Sequence, residues 1–205
     1  MKRSKTVSRK VFLRIGLPFI IFAIIALRLF VGEVCAVPSA SMSPTIIVGD
    51  RLWIDKTSYG ARLPRRFADI PLLNVFTWIK PLRLADEKND WGFNRLSCIR
   101  TPHLGDLAVF ESPEFPCPLL VKRIAVKYNS GDTIVINSEN YNIMHTIVLN
   151  EGHEINLRND SIWINGQLDS MCIVSQSYYY MLGDHRDNSH DSRMFGYIPN
   201  SSVAG

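Results

Sequence analysis

The sequence predicts a mainly β domain, with a coiled or barrel-like sheet, that follows one N-terminal membrane-spanning helix. Three observations support this prediction. After residue 34, short segments with apolar residues at alternate positions recur along the chain, which is typical of half-buried strands. Gly-Asp and Asn-Gly pairs, which favour tight turns, separate these segments. One long apolar run lies near the N-terminus, and nothing after it predicts a long amphipathic helix.

The apolar run predicts a membrane anchor at residues 15–32. It reads IGLPFIIFAIIALRLFVG, and its 18 residues are close to the lower limit for crossing a bilayer. Its one charged residue, Arg28, lies near the outer end, where a long side chain can reach the polar interface. Residues 1–14 form a basic tail with six Lys and Arg residues. We therefore expect a single-pass protein of the cell (inner or cytoplasmic) membrane, with a cytoplasmic tail and with residues 33–205 exported.

A cleaved secretory signal is the alternative to a retained anchor. The uncharged part of the run, Ile15–Leu27, is 13 residues long, which suits the apolar region of a signal peptide. We favour the retained anchor, and the remainder is exported in either case. Export permits disulfides, and Cys98 with Cys117 is the pair to test first. The alternative is that each cysteine is a small buried apolar residue.

Seven segments of the exported part read as strands. Each is a short apolar or alternating run bounded by turn residues. They are Ile46–Val48, Arg51–Ile54, Leu107–Phe110, Leu119–Val126, Thr133–Ile136, Ile143–Leu149 and Ile162–Ile164. The pair Asn165-Gly166, which follows the last of them, is a strong signal for a two-residue hairpin turn.

The segment 59–101 interrupts this pattern and reads as an insertion or an extended loop. It contains three prolines and two tryptophans. Within it, Ile70–Leu82 is apolar and ends with Trp78 and Lys80, a composition that suits a bilayer interface. A strand or short helix packed on the core is the simpler interpretation of the same residues.

Charge and residue spacing argue against two classes of function. The formal net charge is +4, but the basic excess precedes the apolar run, and no basic stripe with interleaved aromatic residues follows it. We therefore expect no nucleic-acid partner. The four cysteines and five histidines show no metal-ligand spacing, so we expect no metal and no cofactor.

A candidate nucleophile follows the anchor, in the segment PSASMSPTIIVGD at Pro38–Asp50. A serine hydroxyl becomes a nucleophile only when a base takes its proton. His185 and His190 in GDHRDNSHDSR are possible bases, although the chain lacks the GxSxG turn of many hydrolases. Lys122 in the apolar segment LLVKRIAV is another, because burial lowers a lysine pKa and a neutral amine can accept a proton. The alternation alone favours the opposite orientation, with Lys122 on the solvent face of a strand.

Four segments together resemble the signature segments of type I signal peptidases. In order they are PSASMSPT, GDLAVF, VKRIAV and GDHRDNSHDSR, and the resemblance extends from about residue 11 to residue 199. It implies a signal-peptidase-like β fold with a Ser–Lys dyad, in which Ser41 is the nucleophile and Lys122 the general base. It also implies supporting roles for four residues. Ser39 contributes to the oxyanion hole, Ser189 hydrogen-bonds the lysine, and Asp191 and Arg193 form an ion pair.

The resemblance further implies the substrates and the partners. We expect signal-peptide-bearing preproteins in a lipid bilayer, with Met42 and Val121 lining shallow pockets that accept small residues before the cut. A relative specialised for one pilin-like substrate is an enzymatic alternative. An alternative from another class is a catalytically silent, membrane-tethered binding module, but the intact Ser41 and Lys122 argue against it. His185 departs from the family pattern, in which many members have asparagine there.

Overall fold

The computed structural model describes residues 12–112 and 119–205. These residues form two compact units. The first is built from residues 12–34 and 53–99, and the second from residues 35–52, 100–112 and 119–205. The predicted pair of Cys98 with Cys117 is not tested, because Cys117 lies outside the described residues.

The first unit begins with the apolar helix. A π-helical turn, Phe12–Gly16, leads into α1 at Leu17–Phe30. The span Leu13–Phe30 has 18 residues and a mean hydropathy of 2.1, and it buries none of its residues against the protein. It is therefore long and apolar enough to cross a membrane. The helix ends two residues before the predicted boundary, because the chain enters strand β1 at Gly32–Ala36.

The remainder of the first unit contains the segment 59–99. Strand β2, Arg51–Asp55, pairs with β1 and comes just before this segment in the chain. Two 3₁₀-helices, Phe67–Asp69 and Leu73–Trp78, are followed by α2 at Lys80–Lys88. The apolar part of the segment is thus helical, and most of its large apolar side chains are exposed, which does not fit the expected strand or helix packed on the core.

The second unit is mostly strands. In chain order they are β3 (Leu107–Glu111), β4 (Leu119–Tyr128), β5 (Thr133–Val135), β6 (Ile155–Arg158), β7 (Ser161–Ile164), β8 (Gln167–Leu168), β9 (Met171–Ile173), β10 (Tyr178–Leu182) and β11 (Ile198–Pro199). Two α-helices, α3 (Tyr141–Asn150) and α4 (Ser192–Phe195), and two 3₁₀-helices, Arg186–Asn188 and Asn200–Ser202, accompany them among the described residues. The predicted fold class, a mainly β protein with a curled sheet and an N-terminal apolar helix, is confirmed.

An antiparallel sheet with the order β11-β10-β4-β3 carries the residues of interest. Its central strand, β4, pairs with β3 on one side and with β10 on the other. The register between β10 and β4 shifts at Tyr180/Met181, an irregularity of the β-bulge type that increases local twist. Smaller sheets pair β5 with β9 and join β6, β7 and β8.

The main core lies between helix α3 and the smaller sheets. Its members are apolar side chains with less than a tenth of their surface exposed. They include Ile134, Ile136, Ile147, Val148, Ile162, Val174, Tyr178 and Tyr197. Their burial provides the hydrophobic stabilisation of this unit.

Five of the seven predicted strand segments are strands in the structure, and two are not. The hairpin turn is confirmed, since Asn165 and Gly166 connect β7 to β8 with φ of 50° and 78°, as a type I′ turn requires. The strand prediction for Ile143–Leu149 was wrong, because these residues belong to α3. An apolar run of this length suits either element, and the helix buries Ile147 and Val148 together on one face.

The strand prediction for Ile46–Val48 was also wrong. The amide of Ile46 donates to the carbonyl of Met42 at 3.0 Å, and the amide of Ile47 donates to the carboxylate of Asp50 at 3.0 Å. These hydrogen bonds close successive turns, so the backbone cannot adopt the extended conformation of a strand here.

We expect Ile147→Ala to lower the free energy of unfolding by about 2–5 kcal/mol, because it leaves a cavity in the core. Ile147 is 0% exposed, whereas Leu149 in the same helix is 55% exposed. The control Leu149→Ala should change stability by only about 0.5 kcal/mol. Urea unfolding of the detergent-solubilised protein measures both. Equal losses for the two variants would contradict this packing.

Candidate active site

The candidate nucleophile lies in a closed loop whose ends are joined by backbone hydrogen bonds. The amide of Val37 donates to the carbonyl of Asp50 at 2.9 Å, which brings the two ends of the loop together. Inside the loop, Met42 and Ile46 are 2% and 5% exposed and pack together with Val37. Ser41 directly precedes the buried Met42, so apolar packing fixes the backbone that carries its hydroxyl.

Lys122 lies on the buried face of β4. Its side chain is 2% exposed, and Ile124, two positions further along the strand, is 1% exposed on the same face. Lys122 Nζ lies 2.5 Å from Ser41 Oγ. Burial lowers the pKa of the Lys122 amine below its ordinary value, and the negative charge of Asp191 opposes this shift. In the structure Lys122 therefore points inward and not into solvent.

The two supporting serines differ in their contacts. Ser39 Oγ lies 3.4 Å from Ser41 Oγ, on the same loop. The hydroxyl of Ser189 is buried, and the predicted hydrogen bond to Lys122 is not formed among the residues that the structure describes. Its side chain instead packs against Gly183, where any Cβ would overlap both it and the carbonyl oxygen of Ser41.

Asp191 and Arg193 form the predicted ion pair. Arg193 donates through Nε and Nη2 to the two carboxylate oxygens of Asp191, at 2.8 and 3.0 Å. The amide of Gly183 also donates to Asp191, at 3.0 Å. Burial disfavours the ionised carboxyl, but the hydrogen bonds from Arg193 and Gly183 outweigh it and hold the pKa of Asp191 at about 2. A fully buried carboxylate therefore stays charged and fixes the end of β10.

The predicted substrate-contact residues lie beside the nucleophile. Met42 belongs to the buried cluster beneath the loop, and Val121 of β4 packs against that cluster while remaining partly exposed. Only a small part of Met42 is accessible, so Val121 offers more of the apolar surface at this point.

A second ion pair was missed by the sequence analysis. Arg123 donates through Nε and Nη2 to the carboxylate of Asp184, at 2.9 and 2.7 Å, and Thr45 Oγ1 donates to the same carboxylate at 2.6 Å. The hydrogen bond from Arg123 lowers the pKa of Asp184 to about 2. This cluster joins the nucleophile loop, β4 and the segment after β10. Its only sequence signals were the position of Arg123 next to Lys122 and the Gly-Asp pair that contains Asp184.

The histidines that the sequence offered as alternative bases have other contacts. The backbone amide of His185 donates to the carbonyl of Ser41 at 3.1 Å, and its Nδ1 atom is buried without a partner among the described residues. The ring of His190 packs on Phe195, with 5.6 Å between centroids. Across residues 12–112 and 119–205, no group of three His, Cys, Asp or Glu side chains is arranged to hold a metal ion.

Comparison with known proteins identifies related sequences along most of the chain. The family described as "Signal peptidase, peptidase S26" matches residues 9–205. A signal peptidase I from Pseudomonas fluorescens is 28% identical over 91% of this chain and 66% of that protein. A signal peptidase I from Aquifex aeolicus is 23% identical over 91% of this chain and 78% of its own length. A signal peptidase I from Pseudomonas aeruginosa is 25% identical over 91% of this chain and 66% of that protein. The chain thus spans about two thirds of the length of the two Pseudomonas relatives.

We expect Asp184→Asn to destabilise the protein by about 2 kcal/mol at neutral pH, because the ion pair lowers the carboxyl pKa from 3.8 to about 2. The folded-state pKa is the lower one, so this contribution is present above the unfolded value. It is lost as pH falls through the folded value, and the difference between variant and wild type should shrink from about pH 4 to pH 2. Urea unfolding at several pH values measures it. Asp187→Asn, an exposed carboxylate in the same segment, is the control, and an equal effect there would contradict the assignment.

Proposed function

Because the chain belongs to the signal peptidase family, peptidase S26, we propose that it is a membrane-anchored serine endopeptidase that removes signal peptides from exported preproteins. Ser41 is the proposed nucleophile and Lys122 the proposed general base. One observation carries the proposal. A lysine amine that is 2% exposed lies 2.5 Å from a serine hydroxyl, with burial lowering its pKa. This is the environment in which a lysine can take a proton near working pH.

The proposed reaction has two stages, each with a balanced proton transfer. Ser41 Oγ attacks the scissile carbonyl carbon while Lys122 Nζ takes the hydroxyl proton. The tetrahedral intermediate then collapses, the amine leaves with that proton, and an acyl ester remains on Ser41. In the second stage Lys122 deprotonates a water molecule that attacks the ester. The new carboxyl end leaves, and the proton returns to Ser41.

The proposed oxyanion hole consists of the backbone amide of Ser41 and the hydroxyl of Ser39. Preorganised donors of this kind stabilise the negative charge that develops on the carbonyl oxygen. The 3.4 Å separation of the Ser39 and Ser41 hydroxyl oxygens supports the role, since both then border one small volume. Asp191 and Arg193 are proposed as the pair that holds this region closed.

The proposed substrate binds as an extended segment beside the nucleophile loop and β4. Val121 and the accessible part of Met42 would then bound a shallow apolar pocket, which favours small residues near the cut. The span Leu13–Phe30 is proposed as a retained anchor, with the basic tail that precedes it cytoplasmic and the catalytic part on the opposite side of the cell membrane. Enzyme and substrate would then meet within one membrane plane, which raises their effective concentration.

We expect Ser41→Ala and Lys122→Ala each to abolish cleavage of a test preprotein in detergent, because one removes the nucleophile and the other the base. Ser43→Ala, a change in the same loop, is the matched control and should keep activity. Gel analysis of the preprotein and its product measures cleavage. Activity that survives in Lys122→Ala but disappears in His190→Ala would instead assign the base to histidine.

The cleavage rate should rise with pH through the folded pKa of Lys122 and then level off, because only the neutral amine accepts a proton. The negative charge of Asp191 raises that pKa, so Asp191→Asn should move the midpoint to lower pH. The rate constant for cleavage, measured at saturating preprotein across pH, tests both statements. An unchanged midpoint in Asp191→Asn would show that a group other than Lys122 controls the profile.

A further inference from the structure

The hydroxyl of Thr45 joins the nucleophile loop, residues 37–50, to the segment that follows β10. Thr45 Oγ1 donates to Asp184 Oδ2 at 2.6 Å, a length typical of a hydroxyl bound to an ionised carboxylate. The carboxylate is ionised at neutral pH, because its hydrogen bonds, above all the one from Arg123, hold the pKa of Asp184 at about 2. The bond from Thr45 is therefore of the stronger, charge-assisted kind.

Two hydrogen-bonded turns connect Thr45 to Ser41 within the loop. A backbone hydrogen bond of 3.0 Å closes the turn 40–43, which contains Ser41, and another of 3.0 Å closes the turn 42–46, which contains Thr45. The two turns share residues 42 and 43. A shift of the Thr45 side chain would therefore be passed along the backbone to the residue that carries the proposed nucleophile.

Arg123 fixes the carboxylate that Thr45 contacts. Its guanidinium donates to both oxygens of Asp184, and its Nη1 atom donates to the carbonyl of Gly105 at 2.8 Å. The amide of Gly105 donates in turn to the carbonyl of Ile124 at 2.8 Å. The guanidinium is thus held on two sides, and the segment GDLAVF, which begins at Gly105, is attached to β4 beside it.

Two consecutive residues of β4 therefore hold two points of the nucleophile loop. Lys122 contacts Ser41 directly, with 2.5 Å between Nζ and Oγ. Arg123 reaches Thr45 through the carboxylate of Asp184. Consecutive side chains of a strand point to opposite faces, so the loop is attached to β4 from both of its faces.

We propose that Thr45 is a positioning residue, whose bond to Asp184 keeps the Ser41 hydroxyl within reach of its base. The inference rests on the Ser–Lys dyad given under Proposed function. Proton transfer requires hydrogen-bonding distance between the two groups, and a misplacement of about 1 Å can slow a reaction about 100-fold. Thr45 lies on the surface of the protein, so its bond should matter more for the position of the loop than for the stability of the fold.

Substitutions at Thr45 test the hydroxyl separately from the shape of the side chain. Thr45→Val removes the hydroxyl and keeps a branched side chain of similar size, whereas Thr45→Ser keeps the hydroxyl. We expect Thr45→Val to lower kcat for a test preprotein in detergent by about 10- to 100-fold, with KM changed by less than about threefold. Thr45→Ser should retain kcat within about threefold of wild type.

Thr133→Val is the matched control for the loss of a threonine hydroxyl. Thr133 is exposed on β5, and the same change there should leave kcat and KM unaltered. Urea unfolding of all three variants measures stability alongside the kinetics. We expect Thr45→Val to remain folded under the conditions of the cleavage assay.

A double-mutant cycle tests whether the effect passes through the carboxylate of Asp184. Asp184→Asn removes the charged acceptor, so the addition of Thr45→Val to that variant should lower kcat by only about threefold more. The two single losses would multiply if Thr45 acted independently of Asp184. A multiplicative loss in the double variant would therefore contradict the proposal.

Two further results would overturn the proposal. One is a wild-type kcat in Thr45→Val, and the other is a loss of kcat that merely follows a loss of folded protein in urea unfolding. Failure of the proposed function gives a different result, because cleavage would then be absent from the wild type or would survive in Ser41→Ala. Cleavage that requires Ser41 but is indifferent to the hydroxyl of Thr45 would contradict only the positioning role.

Discussion

The centre of the candidate site is a buried ionisable amine beside a hydroxyl, and the local structure of the second unit has to hold the two together. A charged ammonium loses its hydration when it is buried, and this cost lowers the pKa of Lys122. The amine can keep its position 2.5 Å from Ser41 Oγ only if the strand and the loop that carry the two groups are both rigid. The packing of Met42 under the loop and the two-sided pairing of β4 provide that rigidity. In the proposed mechanism the same burial makes the lysine a base. The burial that costs folding free energy is therefore also what lowers the pKa of the amine into the range that the reaction needs.

Three distant segments meet at this point, and polar contacts hold them together. The nucleophile loop, β4 and the residues after β10 are all joined by the carboxylate of Asp184 through Thr45 and Arg123. The backbone amide of His185 and the close approach of Gly183 add contacts at the carbonyl of Ser41. The motif GDHRDNSHDSR thus acts mainly through its backbone and its carboxylates. This explains why a histidine at position 185 is compatible with the arrangement: the contact with Ser41 uses the main chain.

Local features of the sequence were predictable, whereas contacts between distant residues were not. The Asn165-Gly166 turn follows from the φ values that those two residues tolerate, and β4 follows from its length and alternation. The run Ile143–Leu149 suits helix or strand equally, and only its packing against the core decides for the helix. The inward orientation of Lys122 could not be read from the alternation and was expected only through the family resemblance. Arg123 and Asp184 are 61 residues apart in the sequence, and no local sequence pattern predicts that they form an ion pair.

The pairing of the buried charges explains how a lysine with a lowered pKa can lie near a carboxylate. An unpaired Asp191 would attract a proton to Lys122 and raise its pKa, which would oppose its proposed role as a base. Arg193 donates to Asp191 through two nitrogen atoms, and the amide of Gly183 donates a further hydrogen bond. These donors offset most of the negative charge of the carboxylate, which weakens its effect on the pKa of Lys122. The planar guanidinium suits this task, because its fork matches both carboxylate oxygens and it does not lose its proton. Desolvation can therefore dominate at Lys122, since the negative charge of Asp191, which raises its pKa, is already bound by an arginine.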